Sequence, residues 1–237
     1  MLALGIGLLL AGSAPAQTAA GRTDWQSLRI VEPRDPVFPP RLMQLAVTQG
    51  EARVVISVDR KGALTEWLVT GYSRPEFATA VVEAIKEWKF EPARLRGEPM
   101  GAIAELTFQF TAQGVVVSSV NLAELAEIQT MGLLDDRYQF RACLPAELDR
   151  MPAPLRTVAP AYPLALAKQG VRGSVAVEFY IDETGAVRLP SLAPGENLEL
   201  GGLAIAALSQ WKFTPPTSRG RAALVKAVQT FDFKDGS

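Results

Sequence analysis

An internal repeat is the feature of this sequence that most restricts what it can fold into. The string EWKFEP around Trp88 returns as QWKFTPP around Trp211, at an offset of 123 residues. The same offset holds without an insertion for further pairs along both copies, among them Gly50 and Gly173, Asp59 and Asp182, and Phe110 and Phe233. The copies run from about residue 36 to 110 and from about 159 to 233, and each is long enough to form a small domain.

Each copy predicts the same series of helices and strands. A short helix after Pro40 or Pro163 precedes two strands joined by a turn, and apolar residues alternate along the first strand. A longer helix follows, with apolar residues at helical spacing, and an alternating strand closes the copy. The fold class is therefore α+β, and each unit is predicted to be a three-stranded antiparallel sheet covered by two helices.

Two residue pairs that resemble ligand or catalytic groups have structural interpretations. Trp88 and Trp211 close the apolar stripe of the longer helix, where an aromatic side chain packs in the core. Asp59 and Asp182 open the turn after the first strand, where aspartate hydrogen-bonds the backbone. Because their carboxylates occupy the same place in different copies, we do not expect them to act as a catalytic pair.

The composition argues against most enzyme chemistry. Histidine is absent and Cys143 is the single cysteine, which removes histidine triads and thiolate or imidazole zinc clusters. We expect no enzyme activity, no metal, no cofactor and no small-molecule substrate. The 24 basic and 25 acidic residues are spread along the chain, so no nucleic-acid partner is expected. Cys143 is interpreted as a buried small residue, with an intermolecular disulfide or a reactive thiol as alternatives.

The amino terminus predicts export. The apolar run LALGIGLLLA is followed by an A-x-A site that ends at Ala16, which is typical of a cleaved signal peptide. The expected location is the periplasm. No Lys or Arg precedes the apolar run, which leaves open a start further upstream and an inner-membrane anchor encoded there.

Five segments follow from the repeat and the signal. They are a signal peptide at 1–16, a lead-in at 17–35, a first domain at 36–110, a linker at 111–158, and a second domain at 159–237. Within the linker, the stretch Asn121 to Thr130 has a polar N-cap and helical apolar spacing, which predicts one helix.

Both copies carry a motif that resembles the C-terminal domain of the TonB energy-transducer family. The second copy shows a Tyr-Pro pair, a turn glycine, a Trp-Lys-Phe-x-Pro segment and a final Phe-x-Phe, and the first copy keeps all but the Tyr-Pro. The motif residues, interpreted as mainly structural, are Tyr162, Pro163, Gly185, Trp211, Phe213 and Pro215, with Trp88, Phe90 and Pro92 in the first copy.

The resemblance implies a periplasmic module that docks onto outer-membrane transporters by strand addition at its final strand, in TonB-dependent transport. The candidate protein-binding residues are Lys226, Val228, Thr230 and Asp232, with Ile103, Glu105, Thr107 and Gln109 in the first copy. The expected partner is a TonB-dependent receptor or another envelope protein. Two alternatives remain: a complete energy transducer with an upstream anchor, or an envelope protein that associates with itself and has a structural or regulatory role.

Overall fold

The computed structural model of the chain describes residues 25–112, 114–120, 138–193 and 196–234. The chain divides into two compact units between residues 122 and 123, and each unit is described by itself. The predicted signal peptide at 1–16 and the predicted linker helix from Asn121 to Thr130 lie outside the described residues.

The first unit contains nine strands and two helices among its described residues. They are β1 (Trp25–Gln26), β2 (Arg29–Glu32), α1 (Pro40–Gln44), β3 (Gln49–Val58), β4 (Leu64–Tyr72), α2 (Pro75–Ile85), β5 (Lys89–Glu91), β6 (Ala93–Leu95), β7 (Glu98–Met100), β8 (Ala102–Thr111) and β9 (Gly114–Val120).

The main sheet of the first unit is larger than the three strands that the sequence predicts. Within this unit its order is β4-β3-β8-β9, and every neighbouring pair is antiparallel. The added strand is β9, which lies within the segment that the sequence predicts to be a linker. The lead-in also forms structure, since β1 pairs with β6 and β2 pairs with β5.

The core of the first unit lies between the sheet and α2, which packs across β3 and β4. Val54 and Ile56 on β3 are fully buried, as is Phe77 on α2. These residues occupy the alternating and helical positions that define the apolar faces in the sequence, so the burial of one face explains both elements.

The second unit contains eight strands, two helices and one 3-10 turn among its described residues. They are β10 (Phe140–Arg141), the turn Pro145–Glu147, β11 (Pro154–Arg156), α3 (Leu164–Lys168), β12 (Gly173–Ile181), β13 (Val187–Leu192), α4 (Leu198–Leu208), β14 (Lys212–Phe213), β15 (Thr217–Ser218), β16 (Arg221–Ala222) and β17 (Val225–Phe233).

The main sheet of the second unit has the order β13-β12-β17, again antiparallel. The helix α4 packs across β12 and β13, and its buried face includes Leu200, Ala204 and Leu208. Asn197 caps α4, because its side-chain oxygen accepts hydrogen bonds from the backbone N–H groups of Glu199 and Leu200 at 2.9 and 3.1 Å. Both units are thus α+β. None of the helices that the structure describes is long and apolar enough to span a membrane.

Candidate strand-pairing edges

The strand β17 has one side that no described strand covers. It pairs with β12 along its whole length, from Val225 opposite Ile181 to Phe233 opposite Gly173. On its other side, the only pairing within the described part of the chain is an isolated parallel bridge between Cys143 and Val225. The edge from residue 226 to 233 is therefore open in the described residues.

The hydrogen bonds of β12 identify which backbone groups of β17 face this edge. The N–H and C=O groups of Ala176 bond towards β13, to the side chain of Glu196 at 3.0 Å and to the N–H of Ala193 at 3.2 Å. Ala176 lies opposite Thr230, so this pair exchanges no ladder hydrogen bonds and Thr230 directs its backbone groups away from β12. Because the direction of backbone groups alternates along a strand, Lys226, Val228 and Asp232 also direct their N–H and C=O groups away from β12.

The side chains of the same four residues face away from the core. Val228 is 59% exposed, and Thr230 and Asp232 are exposed as well. Lys226 differs, because its Nζ lies 2.9 Å from Glu178 Oε2 and its side chain is only 12% exposed. Asp232 accepts a hydrogen bond from Ser174 on β12. Charged and bonded side chains of this kind limit indiscriminate edge-to-edge pairing.

A segment that we call the clasp, residues 141–149, closes the beginning of this edge. The N–H of Cys143 donates to the C=O of Leu224 at 2.7 Å, which is the next outward-facing carbonyl before Lys226. Burial raises the pKa of the Cys143 thiol above its usual value, so the sulfur stays protonated at neutral pH.

Two carboxylates hold the clasp in place. Glu147 pairs with Arg141 and accepts the N–H of Leu144 at 2.8 Å, and the hydrogen bond from Arg141 keeps the pKa of Glu147 below its ordinary value. Asp149 accepts the N–H groups of Arg219 and Gly220 at 2.7 and 2.8 Å, which ties the clasp to the β15–β16 hairpin.

The equivalent strand of the first unit is not an edge. The backbone groups of Glu51 on β3 bond towards β4, since its N–H donates to Ser73 Oγ and its C=O accepts the N–H of Ser73, both at 2.9 Å. Glu51 lies opposite Gln109, so Gln109 directs its backbone groups outward, where Val116 of β9 lies.

The final strand of the first repeat, one of the two candidate edges in the sequence, is therefore covered by β9 in the structure. Because the direction alternates along β8, the backbone groups of Ile103, Glu105 and Thr107 point away from β3, like those of Gln109. Glu105 pairs with Val120, Thr107 with Ser118 and Gln109 with Val116, and Ile103 lies just beyond the end of β9. Glu105 is also buried, at 5% exposure. The physical reason is that β9 follows β8 after only two residues and pairs with its outer side.

Both units match one known family. A model described as Gram-negative bacterial TonB protein C-terminal matches residues 34–112 and again residues 158–234, and the two matches cover more than half of the chain. The chain belongs to this family. The tandem duplication of TonB C-terminal domains predicted from the sequence is thus confirmed. No curated protein matches the chain.

The TonB C-terminal domain is a non-enzymatic binding domain of the Gram-negative envelope, which gives this chain a TonB-related envelope function. Its motif glycine has a clear structural role in both units. Gly62 and Gly185 have φ angles of 83° and 78°, and a Cβ atom added there would lie 2.3 Å from the C=O oxygen of Phe90 and 2.0 Å from that of Phe213. Only glycine permits this close approach.

The motif aromatic residues support the sheet. Trp88 and Trp211 lie just after the longer helix of their units. Each indole N–H donates at 2.8 Å to a backbone carbonyl in the segment that precedes its repeat, that of Arg34 for Trp88 and that of Val158 for Trp211. The remaining motif residues lie around the same segment: Phe90 and Phe213 are buried, Pro92 is half-buried, and Pro215 is exposed.

The Tyr-Pro pair fixes the end of β17. Tyr162 donates its hydroxyl to the C=O of Val171 at 2.6 Å and packs edge-on against Phe233, with 5.5 Å between ring centroids. Pro163 then precedes α3 as its N-cap residue. Tyr162 therefore ties β17 to the turn that leads into β12.

Sequence reasoning missed three features of these sites. Phe38 takes the place of the absent tyrosine in the first unit, since its ring contacts Phe77 and Phe110 edge-on at 5.4 and 6.3 Å. An aromatic residue one position before the expected one was the available signal. The strand β9 was signalled by the valine-rich run after Gly114. The clasp has no local pattern that would have identified it.

Proposed function

We propose that this chain is a periplasmic adaptor that binds an extended peptide of an outer-membrane transporter by strand addition at β17, in TonB-dependent transport. The observation that carries the proposal is the outward direction of the backbone groups of Lys226, Val228, Thr230 and Asp232, on a side where no described strand pairs. An added strand bonds to such groups through its own backbone, and its alternate side chains supply specificity.

The side chains at this edge support a short peptide of mixed character. Val228 presents an exposed apolar surface, while Asp232 presents a carboxylate four residues further along the strand. Directly opposed side chains in a sheet stabilise each other when they are both apolar or of opposite charge, by roughly 0.2–1 kcal/mol per pair. The adaptor therefore favours an apolar residue beside Val228 and a basic residue beside Asp232.

The second candidate function is self-association through the same edge. Two β17 strands from different copies could pair about a two-fold axis, since each offers unpaired N–H and C=O groups in the described residues. Such a dimer would occupy the edge and compete with any transporter peptide. Self-association therefore predicts that peptide affinity falls as the protein concentration rises, whereas the adaptor predicts an affinity independent of protein concentration.

Peptide titration of the full chain, followed by amide chemical shifts, tests the adaptor. Peptides from the periplasmic ends of outer-membrane transporters should shift the amides of residues 226–233 in a saturable way. Absence of shifts with every peptide, together with a concentration-dependent dimer, would refute the adaptor and support self-association.

A proline substitution at the edge sharpens this test. Val228→Pro removes an N–H that points away from β12, so the sheet of the second unit keeps its ladder while the added strand loses a partner. We expect peptide affinity to fall by about tenfold, which corresponds to one or two backbone hydrogen bonds. Val228→Thr is the matched control, because it keeps the N–H and the β-branched shape.

A further inference from the structure

The strand β9 has the geometry and chemistry of a strand-addition ligand. It runs antiparallel to β8, and it pairs from Gly114 opposite Thr111 to Val120 opposite Glu105. After its glycine it consists only of valine and serine, so it is uncharged and rich in a β-branched residue. A peptide bound at an open β8 edge would occupy this place and bond to these backbone groups.

Repeat symmetry places β9 where the second unit has its open edge. Glu51 and Gln109 of the first unit correspond to Ser174 and Asp232 of the second at the offset of 123, and the two pairs have the same register. The outward-facing groups of Thr107 and Gln109 are therefore the counterparts of those of Thr230 and Asp232. In the first unit β9 bonds to them, whereas in the described second unit no strand does.

The short connection makes β9 hard to displace. Only two residues separate the end of β8 from the start of β9. A ligand held by so short a connection acts at an effective concentration in the millimolar range or above, so a free peptide of micromolar affinity competes poorly.

We propose that β9 is a built-in ligand that closes the β8 edge, so that the chain takes up one partner strand, at β17, rather than two. This rests on the proposed function for the count of partners, but the closure of β8 stands by itself. When β9 is detached, the β8 edge takes an uncharged, valine-rich extended peptide in its place.

Amide hydrogen exchange of the full chain, without any ligand, is the first test. The N–H groups of Thr107 and Gln109 should exchange slowly because β9 protects them, while those of Thr230 and Asp232 should exchange at least about 100-fold faster, as expected of an unpaired edge. Exchange at Thr107 and Gln109 as fast as that of unpaired amides would overturn the proposal, because β9 would then not close the edge.

Two neighbouring serines of β9 provide a matched pair of variants. Ser118 lies opposite Thr107 and directs its N–H at β8, whereas Ser119 lies opposite Leu106 and directs its N–H away from β8. Ser118→Pro should therefore release β9 and expose Thr107 and Gln109 to exchange, whereas Ser119→Pro should leave both protected. Unchanged signals from β3 and β4, which pair with each other in the same unit, show that the first unit of each variant remains folded.

A peptide added in trans completes the experiment. The probe is a synthetic peptide of sequence GVVVSSV with blocked ends. It should restore protection of Thr107 and Gln109 in Ser118→Pro, and bind wild type and Ser119→Pro more weakly by on the order of 10²-fold or more. Equal binding to Ser118→Pro and Ser119→Pro would contradict the proposal.

The two proposals fail in different places. If transporter peptides never protect Thr230 and Asp232 while β9 still protects Thr107 and Gln109, the adaptor function fails and the closure of β8 holds. If β17 takes transporter peptides while Thr107 and Gln109 exchange freely in wild type, the closure fails and the adaptor holds.

Discussion

The last strands of the two repeats, β8 and β17, share their register but not their surroundings. β8 pairs with β3 and β17 pairs with β12, and the corresponding residues Gln109 and Asp232 direct their backbone groups outward. In the first unit β9 covers that side, while in the second only the clasp at Cys143 touches the beginning of the edge in the described residues. Duplication therefore preserved the scaffold, while the chain outside the repeat determined which edge is available.

The supports of the two strands differ in a similar way. Tyr162 fastens the end of β17 with a ring contact to Phe233 and a hydrogen bond to Val171, whereas Phe38 contacts Phe110 with its ring alone. A hydrogen bond fixes direction as well as proximity. In the second unit, which has the open edge, the orientation of the supporting aromatic ring is therefore fixed more closely than in the first unit.

The largest expected loss of stability comes from the turn glycines, and it tests whether the two repeats use equivalent turns. Gly62→Ala and Gly185→Ala each place a Cβ against a backbone oxygen at positive φ, and each should lower the free energy of unfolding of its unit by about 2–4 kcal/mol. Urea unfolding followed by hydrogen-exchange mass spectrometry reports on each unit separately. A loss at only one of the two glycines would mean that the turns are not equivalent.

Removal of the aromatic supports should have the next largest effect. Phe38→Ala and Tyr162→Ala each delete a half-buried ring that packs on the last core phenylalanine, at a cost of about 2 kcal/mol, below that of a fully buried ring. The same unfolding assay measures both. If Phe38→Ala had no effect, Phe38 would not be the counterpart of Tyr162.

The hydroxyl of Tyr162 should contribute less than its ring. Tyr162→Phe removes the hydrogen bond to Val171 and keeps the contact with Phe233, so the second unit should lose about 1 kcal/mol. Amide exchange at Phe233 should increase in the variant. A loss as large as that of Tyr162→Ala would place the whole effect in the hydrogen bond.

The clasp should give the smallest effect, and it depends on pH. The hydrogen bond from Arg141 lowers the pKa of Glu147 in the folded chain below its ordinary value of 4.5. The unfolded chain therefore binds more protons, so the stabilisation is present above pH 4.5 and is lost as the pH falls through the lower folded value. Urea unfolding of wild type and Glu147→Gln should differ at pH 7, and the difference should shrink towards pH 3.

A pH-independent difference between these two proteins would argue against that ion pair as the source of the stabilisation. Both clasp side chains are partly exposed, so solvent screening keeps the contribution small. The amide of Cys143 provides a local check, since it should exchange faster in Glu147→Gln if the clasp loosens from Leu224.

Much of the scaffold could be predicted from the sequence because local patterns encode it. The alternation at Val54 and Ile56 requires a strand with one buried face, and the helical spacing from Phe77 to Ile85 requires a helix on that face. The Asp59 turn follows from short-range hydrogen bonding, with its carboxylate accepting the N–H groups of Lys61 and Ala63 at 2.8 and 2.9 Å.

The candidate site could be predicted only in part. Alternation along β17 indicated which of its side chains face away from the core, since side-chain direction has a period of two wherever the strand lies. The covering of the candidate edge at β8 could not be predicted, because edge status depends on which other segment lies beside the strand. The valine-rich run of β9 carried a strand signal, but it lay in a region assigned to the linker.

The sequence by itself determined the duplication, the α+β class and the family, because these follow from repeated residues and from the periodicity of buried faces. Only the tertiary structure decided that β9 covers β8, that the clasp hydrogen-bonds to Leu224 just before β17, and that Phe38 takes the place of the tyrosine. The physical reason is that hydrogen-bonding groups at a strand edge accept any strand that reaches them, so their occupant is set by the three-dimensional path of the chain and not by the residues of the edge.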